Sequence, residues 1–320
     1  MNNTMISVIM LTFNREQYIS RAIESVLCQT FPDFEFIIID NGSTDRSGAI
    51  ARSYAQKDGR ITVTSIPKST IAAGRNCGIR LSEGQFITFL DDDDWIEPDM
   101  LEYLYGLAME HKADISLCGS YKVVDGIVLP NCIFEERLVM GPAEAVVTLL
   151  KRKKYNAGMP TKLFARWLLE EFPFCENSIY DDIAVIYKLL AAARCTAGEG
   201  KPKYYCCRHP GNHSVFTTND AFLSPAQLDE YFNVFRDRTE YLSAVLPEIA
   251  DYARYSEWSY QISMCNKIMR NRLTDCREQL SYAVRELTKH QEEFYHSPYI
   301  EPFEQEYMRQ YILCPGGCDL

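Results

Sequence analysis

Over residues 1–119, short apolar runs alternate with amphipathic segments of helical period, a pattern that restricts the chain to a layered α/β fold on a largely parallel sheet. Ser7–Leu11 is a continuous apolar run, and after Thr12–Asn14 the residues Ile19, Ala22, Ile23, Val26 and Leu27 share one helical face. Phe36–Ile39 reads as a second buried strand ending in Asp40, Asn41 and Gly42, with Ser43 or Thr44 placed to cap a helix through Tyr54. Ile61–Ile66 is a third strand, Ile71–Leu81 a helix, and Gln85–Leu90 a fourth strand that runs straight into Asp91, Asp92, Asp93 and Asp94. Glu97 and Pro98 then open a helix, Pro98 in its first turn, with Met100, Leu101, Leu104, Leu107 and Ala108 on the buried face.

Asp114–Gly119 is a fifth strand, and a hairpin around Asp125 and Gly126 joins Tyr121–Val124 to Ile127–Leu129, where the parallel part of the sheet is expected to end. Helices over 142–150 and 181–193 follow, then a short strand at Lys203–Arg208; from Ser224 the spacing is helical, with few turn signals before Pro298. The expected organisation is a domain over 1–219, divided into halves 1–119 and 120–219, and a helical subdomain over 220–320. A 320-residue chain with 47% hydrophobic residues can bury a sizeable core for both.

The formal charge of -11 repels polyanions and argues against a nucleic-acid partner. Twelve cysteines would suggest a disulfide framework in a short secreted chain, but no basic segment precedes the apolar stretch Met5–Phe13 and no apolar run is long enough to span a bilayer. A cytoplasmic protein with reduced, buried cysteines is therefore expected.

In open parallel sheets, ligands bind at the carboxyl ends of the strands, and three polar clusters fall there: Thr12–Asn14, Asp40–Asp45 and Asp91–Asp94. Neither G-x-G-x-x-G after the first strand nor a lysine-bearing phosphate loop occurs, which excludes the usual dinucleotide and P-loop enzymes. A diphosphate then needs another counter-charge, and adjacent carboxylates suit a hard divalent cation, Mg or Mn, bridging phosphate oxygens. The plainer alternatives are an acidic turn at a helix start for Asp91–Asp94, turn and cap chemistry around Gly42 for Asp40 and Asp45, and helix N-terminal placement for Asp181 and Asp182. Arg75 has the plain reading of a surface arginine, and Lys151–Lys154 that of a solvated helix end. Zinc on Cys206, Cys207, His209 and His213 is disfavoured, because adjacent strand residues point to opposite faces.

Read as an ordered set, SVIMLTFNREQYISRAIESVLCQTFPDFEFIIIDNGSTD, GRNCGI and ITFLDDDDWIEPDML resemble the family 2 glycosyltransferases of the GT-A fold, over roughly Ser7 to Val215. The resemblance implies a Rossmann-like, mainly parallel sheet flanked by helices, with the helical C-terminal part appended. It implies Thr12, Phe13 and Asn14 beside the nucleotide base, Asp40 on base or ribose, Arg75 near the nucleotide, Asp91 and Asp92 on the nucleotide, and Asp93 as the metal ligand of the D-x-D motif. MPTKLF, FPFCENSIYDDIAVIYKLL and YYCCRHPGNHSVF resemble the acceptor-side motifs, which implies Asp182, with Asp181 beside it, as general base and Arg208 near the diphosphate. Departures are Leu11 where proline is frequent, Asn41 where an acid is, Thr161 where asparagine is, and Asp181 where glutamate is. The implied activity is inverting transfer of a sugar, from a UDP-sugar, to a hydroxyl of a glycan or lipid-linked oligosaccharide. The alternatives are a nucleotide-sugar-binding module without chemistry and a sugar nucleotidyltransferase, which needs an arginine-bearing glycine loop that Thr12–Asn14 do not supply. A peripheral membrane contact through Lys267, Arg270 and Arg272 beside Ile268, Met269 and Leu273 competes with an ordinary amphipathic helix.

Overall fold

The computed structural model describes residues 4–209, 211–212 and 222–313. Contacts divide the chain into two compact units, one ending at His209 and one formed by residues 210–320. The boundary expected at 219/220 falls outside the described residues.

The first unit runs β1 (Ile6–Thr12), α1 (Ile19–Leu27), β2 (Phe34–Asp40), α2 (Ser47–Ala55), β3 (Ile61–Ser65), α3 (Ile71–Leu81), β4 (Phe86–Asp91), β5 (Trp95–Ile96) and α4 (Met100–His111). It continues with β6 (Ile115–Val124), β7 (Ile127–Pro130), β8 (Leu138–Met140), α5 (Pro142–Lys151), β9 (Lys162–Ala165), α6 (Arg166–Glu171), α7 (Asp181–Ala192) and β10 (Thr196–Arg208). The strands form one mixed sheet in the order β3-β2-β1-β4-β9-β6-β10-β5, with β7 on β6 and β8 on β10. β1 pairs in parallel with β2 on one side and β4 on the other, so the strand order reverses direction at β1. The register sets Thr12 opposite Asp40 and Leu11 opposite Asp91, which brings the polar ends of three strands level. That is the crevice where doubly wound sheets hold ligands.

β1 is buried on both faces, as its unbroken apolar run requires. Val8 and Met10 join Ile23 and Val26 of α1 and Leu101 and Leu104 of α4 in one core cluster. On the other face α3 approaches closely: a Cβ at Gly78 would lie 2.5 Å from Ile9 Cγ2, and one at Gly74 2.4 Å from Leu11 Cδ2.

Four expectations need correction. The parallel pairing does not end at the hairpin, because β10 runs parallel to β6. The strand expected at Lys203–Arg208 begins at Thr196; register shifts between Gly198 and Tyr204 let it pass through Gly200 and Pro202, residues that hide a strand in sequence. Helix α2 starts at Ser47 rather than at Ser43 or Thr44, since those two bond to Asn14 instead. Pro98 lies before α4, whose N-cap is Asp99. Strand β9, four buried residues inside MPTKLF, had no signal long enough to be read.

The second unit is helical: α8 (Pro225–Val245), α9 (Ala250–Arg270), α10 (Arg277–Lys289), α11 (Gln291–Tyr295) and α12 (Pro302–Met308). Ser224 and Gln227 close a reciprocal capping box at the start of α8. Leu228, Phe232, Trp258, Ile262, Cys265, Ile268, Leu280 and Phe294 build its core. Buried Glu304 of α12 accepts hydrogen bonds from Tyr255, at 3.1 Å, and from Ser259, both on α9. Ile268 is fully buried, and Met269 and Leu273 are partly buried and pack on this core. No described helix is long and apolar enough to cross a bilayer.

The close approach of α3 to β1 yields a test: Gly78→Val should lower unfolding stability by about 1–3 kcal/mol through overpacking against Ile9, read as a lower urea midpoint at unchanged m-value.

Candidate active site

Two loops after β1 and β2 are knitted together by Asn14, which adopts φ 54°. Its Oδ1 accepts from the Thr44 N–H at 2.8 Å, and its own N–H donates to Ser43 Oγ at 3.2 Å. Asp40, buried at the end of β2, accepts from the Ser43 N–H at 3.0 Å and faces Arg52 Nη1 at 3.8 Å. Asp40 therefore organises the turn around Gly42, and Asp45 accepts from the Ser47 N–H at 2.8 Å in the same manner. Phe13 carries the Lys68 ammonium over its ring, and burial with the neighbouring Arg15 charge pulls that ammonium below the usual lysine range.

The four acids after β4 have four different environments. Asp91 keeps half its side chain open to solvent on the floor of a protein-walled crevice and faces Arg75 Nη2 at 3.7 Å. Burial raises its carboxyl to about 6, against the pull of Arg75 and with the help of Asp93, Asp181 and Asp182. Asp92 accepts from the Phe13 N–H at 3.1 Å, and burial with the Asp93 charge raises it to about 7. Asp93 sits 2.9 Å from His209 Nε2 and 3.7 Å from Arg15 Nε. Asp94 is locked to β10, accepting from the Tyr204 hydroxyl at 2.6 Å and the Cys207 N–H at 2.6 Å; burial pushes its carboxyl far up.

Arg75 is not on the surface, as its plain reading had it. It is buried between Phe89 and Phe174 and donates from Nη1 to Asp181 Oδ2 at 2.7 Å. One guanidinium thus spans the end of β4 and the start of α7. Asp181 is occupied by that pair, which leaves Asp182 as the acid of α7 outside it. Burial first, and then the Asp181 charge, raises the Asp182 carboxyl above the ordinary aspartate range. A raised carboxyl in the anionic state is a stronger base.

Arg208 ends β10 opposite Val124. Cys206 packs against the core and the Cys207 backbone is used by Asp94, so this pair is part of a packed strand; His213 lies outside the described residues. The residues that sequence reasoning passed over are Arg15, Arg21 and Tyr204, while His209, weighed there only as a zinc ligand beside Cys206 and Cys207, meets Asp93 instead. Arg21 donates to the Asp93 carbonyl at 2.9 Å, and His209 stacks on Tyr18 with ring centroids 4.5 Å apart. Arg15 directly follows Thr12–Asn14, a signal that was present; Tyr204 comes from a strand more than a hundred positions away from β4 in sequence and carried none.

The donor set fits a divalent cation. Asp93 and His209 pair an oxygen with an imidazole nitrogen, which Mn takes readily, and Asp91 adds an accessible carboxylate in the same field. Among the described residues no group of three or more His, Cys, Asp or Glu is placed to hold a metal ion. A cation held by one or two side chains completes its shell with water and phosphate oxygens.

Fold and site together define a GT-A glycosyltransferase domain. Residues 7–131 match the family model described as glycosyl transferase family 2, and this part of the chain is of that family. Glycosyltransferase GlyA of Streptococcus pneumoniae is 37% identical over 116 residues, 36% of this chain and 16% of that protein. Poly(ribitol-phosphate) beta-N-acetylglucosaminyltransferase TarS of Staphylococcus aureus is 30% identical over 251 residues, 76% of this chain and 41% of its own length. The chain thus spans less than half the length of both curated relatives. A crystal structure of S. aureus TarS residues 1–349 in complex with UDP-GlcNAc has the same fold, with a TM-score of 0.72 at 23% identity over 89% of this chain and 81% of that one.

Two outcomes follow from the buried charges. Arg75→Met should cost about 3–5 kcal/mol by leaving Asp181 unpaired, and adding Asp181→Asn should recover part of that loss in a double-mutant cycle. Because Asp91 and Asp92 are raised to about 6 and about 7, protonation wins as pH falls through that window. Calorimetric Mn uptake should therefore weaken from pH 8 to pH 6, and Asp92→Asn should flatten the upper part of that profile.

Proposed function

We propose that the chain is an inverting glycosyltransferase that moves a sugar from a UDP-sugar to a hydroxyl of a polyol-phosphate glycan. The observation that carries the reading is the meeting, through Arg75, of the β4 acids and the α7 acids at the ligand-binding edge of a family 2 domain. The donor class is supported by the family and by the UDP-GlcNAc held by the TarS structure of the same fold. The acceptor class is supported by TarS and by the poly(ribitol-phosphate) beta-glucosyltransferase of Bacillus spizizenii, 30% identical over 216 residues.

In this reading Phe13 and the loops tied by Asn14 flank the nucleotide, with Asp40 and Asp91 on the base and ribose side. Asp93, with His209 beside it, would hold Mg or Mn, whose charge when bound offsets that of the diphosphate. Asp182 accepts the proton of the acceptor hydroxyl as its oxygen forms a bond to the anomeric carbon. The bond from that carbon to the diphosphate oxygen breaks with its electron pair, and the nucleoside diphosphate leaves from the opposite face, which inverts the centre. Arg75 holds Asp181 and faces Asp91, and so fixes the two ends of the reaction path relative to each other.

The test is UDP release from UDP-GlcNAc with poly(ribitol phosphate), with and without Mn. Asp182→Asn should lower kcat by about 10²–10⁴-fold while UDP-GlcNAc still raises the melting temperature. Asp93→Asn should remove the Mn-dependent part of that thermal shift. Nucleotide stabilisation indifferent to both Mn and Asp93 would contradict the donor site, and undiminished turnover in Asp182→Asn would contradict the base.

A further inference from the structure

The helical unit carries a groove between α9 and α12 with a chemistry unlike the rest of this acidic chain. Ser263, Asn266, Lys267 and Arg270 line one wall, and Phe303 and Tyr307 the other. Ser263, Asn266, Lys267 and Arg270 recur at three- and four-residue spacing and so share one face of α9, while Phe303 and Tyr307 are one turn apart on α12. No carboxylate lines the groove, although the chain as a whole has a formal charge of -11.

Its polar groups are donors. The Tyr311 hydroxyl donates to Asn266 Oδ1 at 3.0 Å, which occupies the amide oxygen and leaves its nitrogen, a donor, with no partner among the described residues. Arg270 is exposed at the last turn of α9 and makes no ion pair among the described residues. Phe303 is 48% exposed, a large aromatic face kept in solvent beside these donors. Cations and amide donors on one wall suit phosphate oxygens, and aromatic rings on the other suit the C–H faces of a sugar or polyol. An apolar partner would leave the donors unsatisfied, and a neutral glycan would leave Arg270 without a counter-charge.

We infer that the α9–α12 groove is a second binding site for a phosphodiester-linked polyol or sugar chain, separate from the strand-end site and lying wholly within the helical unit. The inference rests on the reading that the acceptor belongs to this class. A tethered module that holds one stretch of a polymer raises the effective concentration of the rest for the transferase unit. A long acceptor would then be used at lower concentration than a short one.

Binding of a synthetic polyol-phosphate oligomer to the full chain tests this, with a dextran oligomer of equal length and phosphatidylglycerol vesicles as the other arms. The phosphate oligomer should bind, dextran and vesicles should not, and Arg270→Ala and Phe303→Ala should each weaken binding at least about fivefold, with Arg270→Lys restoring part of it. In turnover assays the same variants should raise KM for long acceptor and leave kcat and the KM for the UDP-sugar unchanged. Affinity unchanged in both variants, equal binding of dextran, or capture by vesicles would overturn the groove assignment. Loss of UDP-GlcNAc protection in the wild-type chain would instead overturn the proposed donor site, so the two failures are told apart.

Discussion

Four carboxylates on consecutive residues at the tip of a buried strand repel one another, and the architecture of the first unit is the set of partners that makes them tolerable. Asp91 faces Arg75 from α3, Asp92 takes the Phe13 N–H from the loop after β1, Asp93 faces His209 and Arg15, and Asp94 is held by Tyr204 and the Cys207 N–H of β10. Each acid therefore pins a different segment to the end of β4. Burial first, and the neighbouring acid charges after it, keeps Asp91 and Asp92 raised to about 6 and about 7. A cation beside them would offset both the lost hydration and the repulsion.

Arg75 extends this arrangement to the second half of the unit. A buried guanidinium costs several kcal/mol of desolvation unless paired, and here it is paired on one side with Asp181 and faces Asp91 on the other. Because Asp181 is consumed by the pair, the two adjacent acids at the start of α7 are not equivalent. Asp182 lies outside that pair, and burial, then the Asp181 charge, raises its carboxyl.

Much of the sheet was legible because its central strands are buried on both faces and so read as unbroken apolar runs, as Ser7–Leu11 and Phe36–Ile39 do. Helix α3 was read at its true limits, Ile71–Leu81, and Thr70 caps it by accepting from the Ala73 N–H at 3.1 Å. β9 and the first half of β10 escaped because four residues show no period and because Gly198, Gly200 and Pro202 are ordinarily turn signals. The plain reading of Arg75 failed for a related reason: a helix-start arginine is usually exposed, and nothing local reports the two acids that bury it.

The sequence by itself determined the layered α/β class and the presence of acids at the strand ends, because period and strand-end chemistry are local properties of the chain; the register that brings those ends level came with the strand pairing. Only the tertiary structure decided which partner each acid has. Partner choice among Asp92–Asp94, the pairing of Asp181 with Arg75, and the arrival of Tyr204 and His209 beside β4 depend on contacts between residues 72 to 116 positions apart. Charge interactions in a partly buried site are weakly screened and scale inversely with separation, so their outcome is set by distances that the order of residues along the chain does not encode.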